Sequence, residues 1–168
     1  MILERIEGRA AEVLRVANAR TIPVPVEMIA GKYQIRVSRA PHQSFSGMLI
    51  RKDGHALIGV NSLEAPVRQR FTIAHELGHF FLHPRKDTFV DYRDNQRDAM
   101  RTPREKQANM FAAALLMPSD LLRKHCRSFA RVGLSEDELH SLAKRFMVSD
   151  DAMRFRLINL NILSIGQL

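Results

Sequence analysis

The sequence has a single cysteine, Cys126. One cysteine excludes an internal disulfide framework and is typical of a protein kept in a reducing compartment. No run of about 18 apolar residues occurs, which excludes an ordinary transmembrane helix. The N-terminal segment carries Glu4, Glu7 and Glu12 among its apolar residues, so it lacks the continuous apolar core of a signal peptide. These absences predict a soluble, cytoplasmic protein without a membrane partner.

Internal repeats, low-complexity tracts and a basic tail are also missing. The net charge is +8, but the basic residues are spread along the chain instead of forming one patch. A solvated surface that is basic overall is therefore the favoured interpretation, and nucleic acid or another acidic partner is the less favoured one. A length of 168 residues with 45% hydrophobic content is sufficient for one domain with a sizeable core.

The first third of the chain predicts helices followed by a small sheet. Apolar residues at steps of three and four predict the helices, and segments rich in β-formers predict the strands. In chain order, the predictions are helices over 2–17 and 25–31, and strands over 34–38, 47–51 and 55–61. Asp53-Gly54 lies between the last two strands and predicts a two-residue hairpin turn.

The rest of the chain predicts helices around one charged loop. A helix is expected from Pro66 to His83, because proline suits a first turn and Pro84 prevents continuation. Residues 85–101 are charged and aperiodic, which indicates an exposed loop. Another helix is expected from Thr102-Pro103 to Met117-Pro118. Three further helices should follow, with these predicted caps: Ser119, Ser135 paired with Glu138 in a capping box, and Ser149.

The predicted helix over residues 66–83 contains the motif His75-Glu76-Leu77-Gly78-His79. Two histidines four residues apart on a helix differ by about 40° in direction, so both imidazoles can reach one metal ion. Glu76 lies about 100° away from His75, where it can contact a water instead of the metal. The pattern is typical of zinc peptidases, in which such a glutamate takes a proton from the attacking water and returns it to the leaving amine.

A catalytic zinc ion usually needs a third protein ligand, and Glu105 is the candidate. It shares a helix face with Ala108 and Ala112, where an unpaired carboxylate would be unfavourable. The same residue also fits a capping box with Thr102. Spacing alone does not favour either role, metal ligand or capping partner. His83 lies about 12 Å along the helix axis from His75, too far to share one metal ion. We therefore expect it to be a polar residue at the end of the helix and not a ligand.

The motif and its surroundings resemble the ImmA/IrrE metallo-endopeptidases. The matching segments are Phe71–His83, Glu105, Ala108-Asn109, Phe111–Ala113 and Leu115–Pro118. The resemblance extends upstream through Ser46-Gly47 and the hairpin, and downstream to Arg156-Leu157. It implies an α+β, zincin-like fold with an N-terminal helix, a three-stranded mostly antiparallel sheet, a helix carrying the HExxH motif and a helical C-terminal part.

The resemblance also implies a function and a set of site residues. His75, His79 and Glu105 would bind Zn²⁺, and Glu76 would be the catalytic acid/base. Members of the family typically cleave a helix-turn-helix transcriptional repressor and thereby relieve repression, often in a mobile element or a stress response. The expected function is therefore zinc-dependent endoproteolysis of a regulatory protein.

Two features of the sequence support alternatives. Relatives commonly have a second acidic residue where this chain has Gln107, so a weakened or inactive protein that binds a repressor without cutting it is one alternative. The tail resembles a helix-turn-helix region in which Arg154 and Arg156 could face phosphates, so a DNA-binding regulator is the other. We expect a peptidase domain over 1–133 and a C-terminal helical pair over 134–168 packed on its core. The sequence does not predict an oligomeric state.

Overall fold

The Asp53-Gly54 turn organises the sheet, because it reverses the chain between two strands that then pair along their lengths. Both turn residues have positive φ, 50° and 77°, as a two-residue hairpin requires. The computed structural model describes residues 2–92, 102–126 and 134–163. Within these ranges the fold is mixed α+β, with seven helices and four strands.

With one strand added, the elements follow each other in the predicted order. The strands are β1 (Ile35–Ala40), β2 (Phe45–Lys52), β3 (His55–Asn61) and β4 (Thr88–Tyr92). The helices are α1 (Ile2–Val16), α2 (Val26–Lys32), α3 (Pro66–Leu82), α4 (Pro103–Leu116), α5 (Ser119–His125), α6 (Glu136–Phe146) and α7 (Asp150–Asn159).

The sheet has the strand order β1-β3-β2-β4, so the prediction of three strands was wrong. The added strand, β4, falls inside the segment 85–101 that was expected to be a loop. Its residues Thr88–Tyr92 include two aromatic residues and two β-branched residues, and the charged residues before them obscured this β-forming composition. Pairs β2/β3 and β2/β4 are antiparallel, whereas β1 and β3 are parallel. The remainder of that predicted loop, residues 93–101, lies outside the described residues.

Two of the three predicted caps in the C-terminal part are present. Ser135 and Glu138 form the reciprocal capping box of α6, and the Ser149 hydroxyl accepts a hydrogen bond from the Ala152 amide at the start of α7. The prediction for Ser119 was wrong. Ser119 is the first residue of α5, one position too late to act as the cap, and Pro118, with an extended ψ of 134°, occupies the cap position.

Helix α3 occupies the centre of the molecule. Its residues 72–79 are all buried, on every side of the helix. It contacts β2 and β3 on one side and α4 on the other, while α1 packs on α4. A helix surrounded in this way places any side chain of its middle turns in the interior. The two histidines of the motif are therefore buried by the position of their helix.

The C-terminal helices contribute to the same apolar cluster as the rest of the chain, through Leu139, Phe146 and Leu157 among others. The contacts of Arg154 and Arg156 weigh against the alternative in which they face phosphates, because both are engaged within the protein. Arg154 pairs with Glu136, and Arg156 is buried against Glu7 and the Met117 carbonyl oxygen. The division into domains over 1–133 and 134–168 stays a prediction. None of the described helices is long and apolar enough to span a membrane.

Candidate metal centre

Helix α3 directs His75 and His79 to the same point. Their Nε2 atoms lie 3.0 Å apart, and the two rings are nearly perpendicular. Both residues are almost fully buried, with exposed fractions of 4% and 1%. Two buried imidazole nitrogens this close need either a shared proton or a cation between them. The arrangement therefore accommodates either a proton or a metal cation between the two rings.

Helix α4 contributes a carboxylate to the same point. The Glu105 Oε2 atom lies 3.1 Å from His75 Nε2 and 3.2 Å from His79 Nε2. The backbone amide of Glu105 donates a hydrogen bond to the Thr102 hydroxyl, which caps α4. The two roles considered for Glu105 are thus divided between its atoms. Its backbone takes part in the cap, and its carboxylate faces the histidines.

The three ligand atoms form a nearly equilateral triangle, with edges of 3.0, 3.1 and 3.2 Å. In a tetrahedral zinc site with bonds of 2.0–2.1 Å, two ligand atoms lie about 3.3 Å apart. The observed edges are close to that value, and a set of two imidazoles and one carboxylate suits zinc or a similar divalent ion. Among the residues that the structure describes, His75, His79 and Glu105 are the one group of this kind.

Glu76 lies beside this triangle without belonging to it. Its side chain is fully buried, and neither carboxylate oxygen has a hydrogen-bond partner within the described part of the chain. Burial raises the pKa of Glu76 to about 8, and the neighbouring His75 opposes this shift. A buried carboxyl whose pKa is near neutrality can both accept and release a proton under physiological conditions.

Two glycines allow the close packing on which the site depends. A Cβ atom added at Gly78 would lie 2.9 Å from the Ala108 carbonyl oxygen, so only glycine permits α3 and α4 to approach this closely. A Cβ atom added at Gly47 would lie 2.2 Å from Thr72 Cγ2 and 3.2 Å from Glu76 Oε1. Gly78 thus brings Glu105 to the histidines, and Gly47 brings β2 against the Glu76 side chain.

Asn109 orients His75 from outside the triangle. Its Oδ1 atom lies 2.8 Å from His75 Nδ1. Because an amide oxygen only accepts, the ring donates its Nδ1 proton and keeps the Nε2 lone pair directed at the triangle. The Ala-Asn pair was part of the family resemblance, but nothing in the spacing indicated this contact.

His79 is held by its neighbours in a different way. The Phe89 ring on β4 stacks on its imidazole at a centroid distance of 3.9 Å. The Arg51 guanidinium on β2 donates hydrogen bonds to the carbonyl oxygens of His79 and Phe80, at 3.2 and 2.7 Å, near the end of α3. Sequence reasoning missed both contacts. The aromatic residue in a β-forming segment was the available signal for the first, and no local signal existed for the second.

Burial and charge set the protonation of the three ligand atoms. Burial alone would lower the pKa of His75, but hydrogen bonding to Glu105 and the charge of Glu76 raise it above its usual value, so a metal would compete with a proton at this residue. Burial lowers the pKa of His79 to about 4, so this imidazole is neutral at pH 7. Burial alone would raise the pKa of Glu105, but hydrogen bonding to His75 and His79 lowers it well below its usual value. A neutral imidazole and an ionised carboxylate are the protonation states that bind a cation.

The structure brings His75, Glu76, His79 and Glu105 together, as the sequence predicted. His83 does not join them. It ends α3, and its Nε2 atom lies 3.2 Å from the Arg104 carbonyl oxygen. Gln107 is partly buried on α4, two residues beyond Glu105.

Comparison with known proteins gives consistent results. Residues 30–158 match the model of the IrrE N-terminal-like domain. Over 104 residues, or 61% of its length, the chain is 36% identical to the radiation response metalloprotease IrrE of Deinococcus radiodurans and to that of Deinococcus deserti. It is 41% identical over 56 residues, or 33% of its length, to the metallopeptidase ImmA of Bacillus subtilis. These matches cover 31%, 36% and 32% of the respective relatives, so the chain spans about a third of their lengths.

Proposed function

Because the chain belongs to the ImmA/IrrE family and its residues 30–158 match the IrrE N-terminal-like domain, we propose that it is a zinc-dependent endopeptidase acting on a regulatory protein. The observation that carries the proposal is the triangle of His75 Nε2, His79 Nε2 and Glu105 Oε2, with the Glu76 carboxyl beside it. Two of the relatives carry the word metalloprotease in their names, and one is named a metallopeptidase.

In this proposal His75, His79 and Glu105 hold the zinc ion, and Asn109 keeps His75 in the tautomer that binds it. Zinc bound there supplies Lewis acidity, which polarises a peptide carbonyl and makes water a better nucleophile near neutral pH. The remaining steps belong to the protein side chains.

Glu76 moves the proton. Its carboxylate accepts a proton from the water that attacks the scissile carbonyl carbon, and its carboxyl then donates that proton to the leaving nitrogen. The fully buried position of Glu76 supports this role, because burial keeps its pKa near the pH at which both transfers are efficient. Gly47 leaves space for the carboxyl group against β2.

We assign the substrate class from the family resemblance. A helix-turn-helix transcriptional repressor is the proposed substrate, and its cleavage would relieve repression. Co-expression of the chain with a repressor encoded next to it, followed by mass analysis of the fragments, tests this assignment. We expect one cut in the repressor with the parent chain and none with Glu76→Gln. An intact repressor in both cultures would contradict the proposed substrate.

The alternative of a DNA-binding regulator receives less support. Arg154 and Arg156, its intended phosphate contacts, are occupied by Glu136 and Glu7. The first turn of α7 also carries Asp150 and Asp151, which would repel a phosphate backbone. The other alternative is a module that binds a repressor without cutting it. In that case the repressor would stay equally intact with the parent chain and with Glu76→Gln.

A further inference from the structure

A cavity of about 320 Å³ opens beside the candidate metal centre. Glu105 and Asn109 line it at the end nearest the metal triangle, and Phe71 lies beside them. Through Glu105 the cavity therefore borders the proposed site of peptide hydrolysis. Its volume is at the lower end of the range for ligand sites, about 300–1,000 Å³, and suits one large side chain better than a whole ligand.

Most of the far wall of the cavity is apolar and comes from three different helices, with Arg156 and Asn159 of α7 as its polar members. Leu3 lies on α1, Met110 and Ala113 lie on α4, and Phe155 lies on α7. Leu3, Met110 and Phe155 are 40%, 41% and 66% exposed. Large apolar side chains that leave separate helices and border one exposed cavity indicate a surface that binds something apolar.

The wall that carries Phe155 is fixed in position. The next residue, Arg156, is 4% exposed, and its guanidinium binds Glu7 on α1 and the carbonyl oxygen of Met117 after α4. These contacts hold α7 against the two other helices that line the cavity. The cavity is thus formed before a ligand arrives, as is common for specificity pockets.

Charged groups at the cavity are already paired with each other. Arg68 and Asp91 both line it, and their nearest side-chain atoms lie 3.7 Å apart. A polar substrate side chain placed against Met110 and Phe155 would lose its hydration to a mostly apolar wall. An aliphatic or aromatic side chain would bury apolar surface against Phe155 and Met110 without such a penalty.

We propose that this cavity binds a large aliphatic or aromatic side chain of the substrate next to the scissile bond, with Phe155 as a specificity-determining residue. The inference rests on the proposed function, because it takes the metal centre as the place where the peptide is cut. The occupant is a substrate side chain because Glu105, one corner of the metal triangle, lines the cavity, so a side chain bound there would lie beside the bond that is cut.

One test detects binding without any cleavage. The full chain, labelled with 13C at its methionine methyl groups, is titrated with N-acetyl-phenylalaninamide and, separately, with N-acetyl-alaninamide. We expect the Met110 methyl signal to shift with the first compound only, and Ala113→Phe, which fills the cavity, to abolish the shift. Met28, 45% exposed on α2, is the matched control and should not respond. Equal responses of Met28 and Met110, or none, would overturn the proposal.

A second test measures specificity. The zinc-loaded chain is given a peptide library, and the residues flanking each cut are counted. We expect one flanking position to favour leucine, phenylalanine or methionine over alanine about ten-fold or more, which is the usual effect of an apolar pocket. Phe155→Ala and Ala113→Phe should each reduce this ratio at least five-fold. Leu63→Ala, an exposed apolar residue outside the cavity, should not change it.

The two tests separate this inference from the proposed function. Cuts whose flanking preference is the same in Ala113→Phe and the parent would overturn the pocket and leave the peptidase standing. A Met110 shift in a chain that cuts no peptide would support the pocket and contradict the peptidase. A Met110 signal that moves with protein concentration alone would mean that a second copy of the chain covers the cavity, and would overturn the inference.

Discussion

Gly78 on α3 and Ala108 on α4 meet where the two helices cross, with space for no additional atom between them. A Cβ atom at Gly78 would lie 2.9 Å from the carbonyl oxygen of Ala108 and 3.0 Å from its Cα atom. The contact lies one residue from His79 and three residues from Glu105. The separation of the two helices therefore sets the distance between the histidines and the carboxylate.

The first prediction follows from this crossing. Gly78→Ala should lower the free energy of unfolding of the metal-free chain by about 1–3 kcal/mol, since two backbones must separate. Zinc affinity should fall as well, because Glu105 moves away with α4. Gly8→Ala on α1 is the control, because no atom lies within 4 Å of an added Cβ there. It should be neutral or stabilising by up to about 1 kcal/mol. Urea unfolding and zinc titration measure both effects, and equal behaviour of the two variants would contradict the role of the crossing.

The second prediction separates the two roles of Glu105. Glu105→Ala should weaken zinc binding sharply, because it removes a ligand atom. Thr102→Ala should leave zinc binding near the parental value and reduce stability by about 1 kcal/mol through loss of the cap. Competition of each variant with a zinc chelator gives the affinities, and thermal unfolding gives the stabilities. Parental zinc affinity in Glu105→Ala would show that the carboxylate is not a ligand.

The third prediction concerns the orientation of His75. Asn109→Ala should reduce zinc affinity by about 10–100-fold, the usual effect of removing a group that orients a histidine ligand. Gln107→Ala on the same helix should have no comparable effect, because among the described residues it is Asn109, and not Gln107, that accepts the hydrogen bond from His75. Isothermal titration with zinc compares the two variants. A larger loss of zinc affinity in Gln107→Ala than in Asn109→Ala would show that Asn109 is not the group that orients His75.

The sequence predicted the helix that carries the HExxH motif better than its surroundings. His75, Glu76 and His79 follow from helical spacing alone, because residues four apart on a helix share a face. Glu105 could not be assigned that way, since its distance from the histidines depends on the crossing at Gly78 and Ala108. The partners of the ligands, Asn109 and Phe89, depend likewise on tertiary packing.

The errors in the fold have similar causes. Strand β4 was missed because it is short, lies at the sheet edge and follows a run of charged residues, so its pairing with β2 decides its structure more than its own composition. The sequence also left open whether Arg154 and Arg156 face phosphates, because Glu136 is 18 residues away from Arg154 and Glu7 is 149 residues away from Arg156. Spacing carries no information about such distant partners.

The fourth prediction concerns the pH dependence of the metal-free chain. Because burial raises the pKa of Glu76 from 4.5 to about 8, the folded state holds a proton that the unfolded state releases in this range. Glu76 therefore lowers the free energy of unfolding progressively as the pH rises from about 4.5 to 8. Glu76→Gln removes this contribution, so the variant should gain stability relative to the parent as the pH rises. Urea unfolding with a chelator present at pH 5, 6.5 and 8 measures the free energy of unfolding of both chains. A difference between the two chains that does not change with pH would contradict the raised pKa of Glu76.

The metal content of the purified chain tests the account most directly. Elemental analysis after incubation with excess zinc and removal of unbound metal should give close to one zinc ion per chain for the parent and for Glu76→Gln. His75→Ala and His79→Ala should each retain essentially none, because each lacks one corner of the triangle. Circular dichroism should confirm that the variants are folded. A folded parent chain that stays free of zinc, or folded histidine variants that bind as much zinc as the parent, would contradict the metal centre and the peptidase that depends on it.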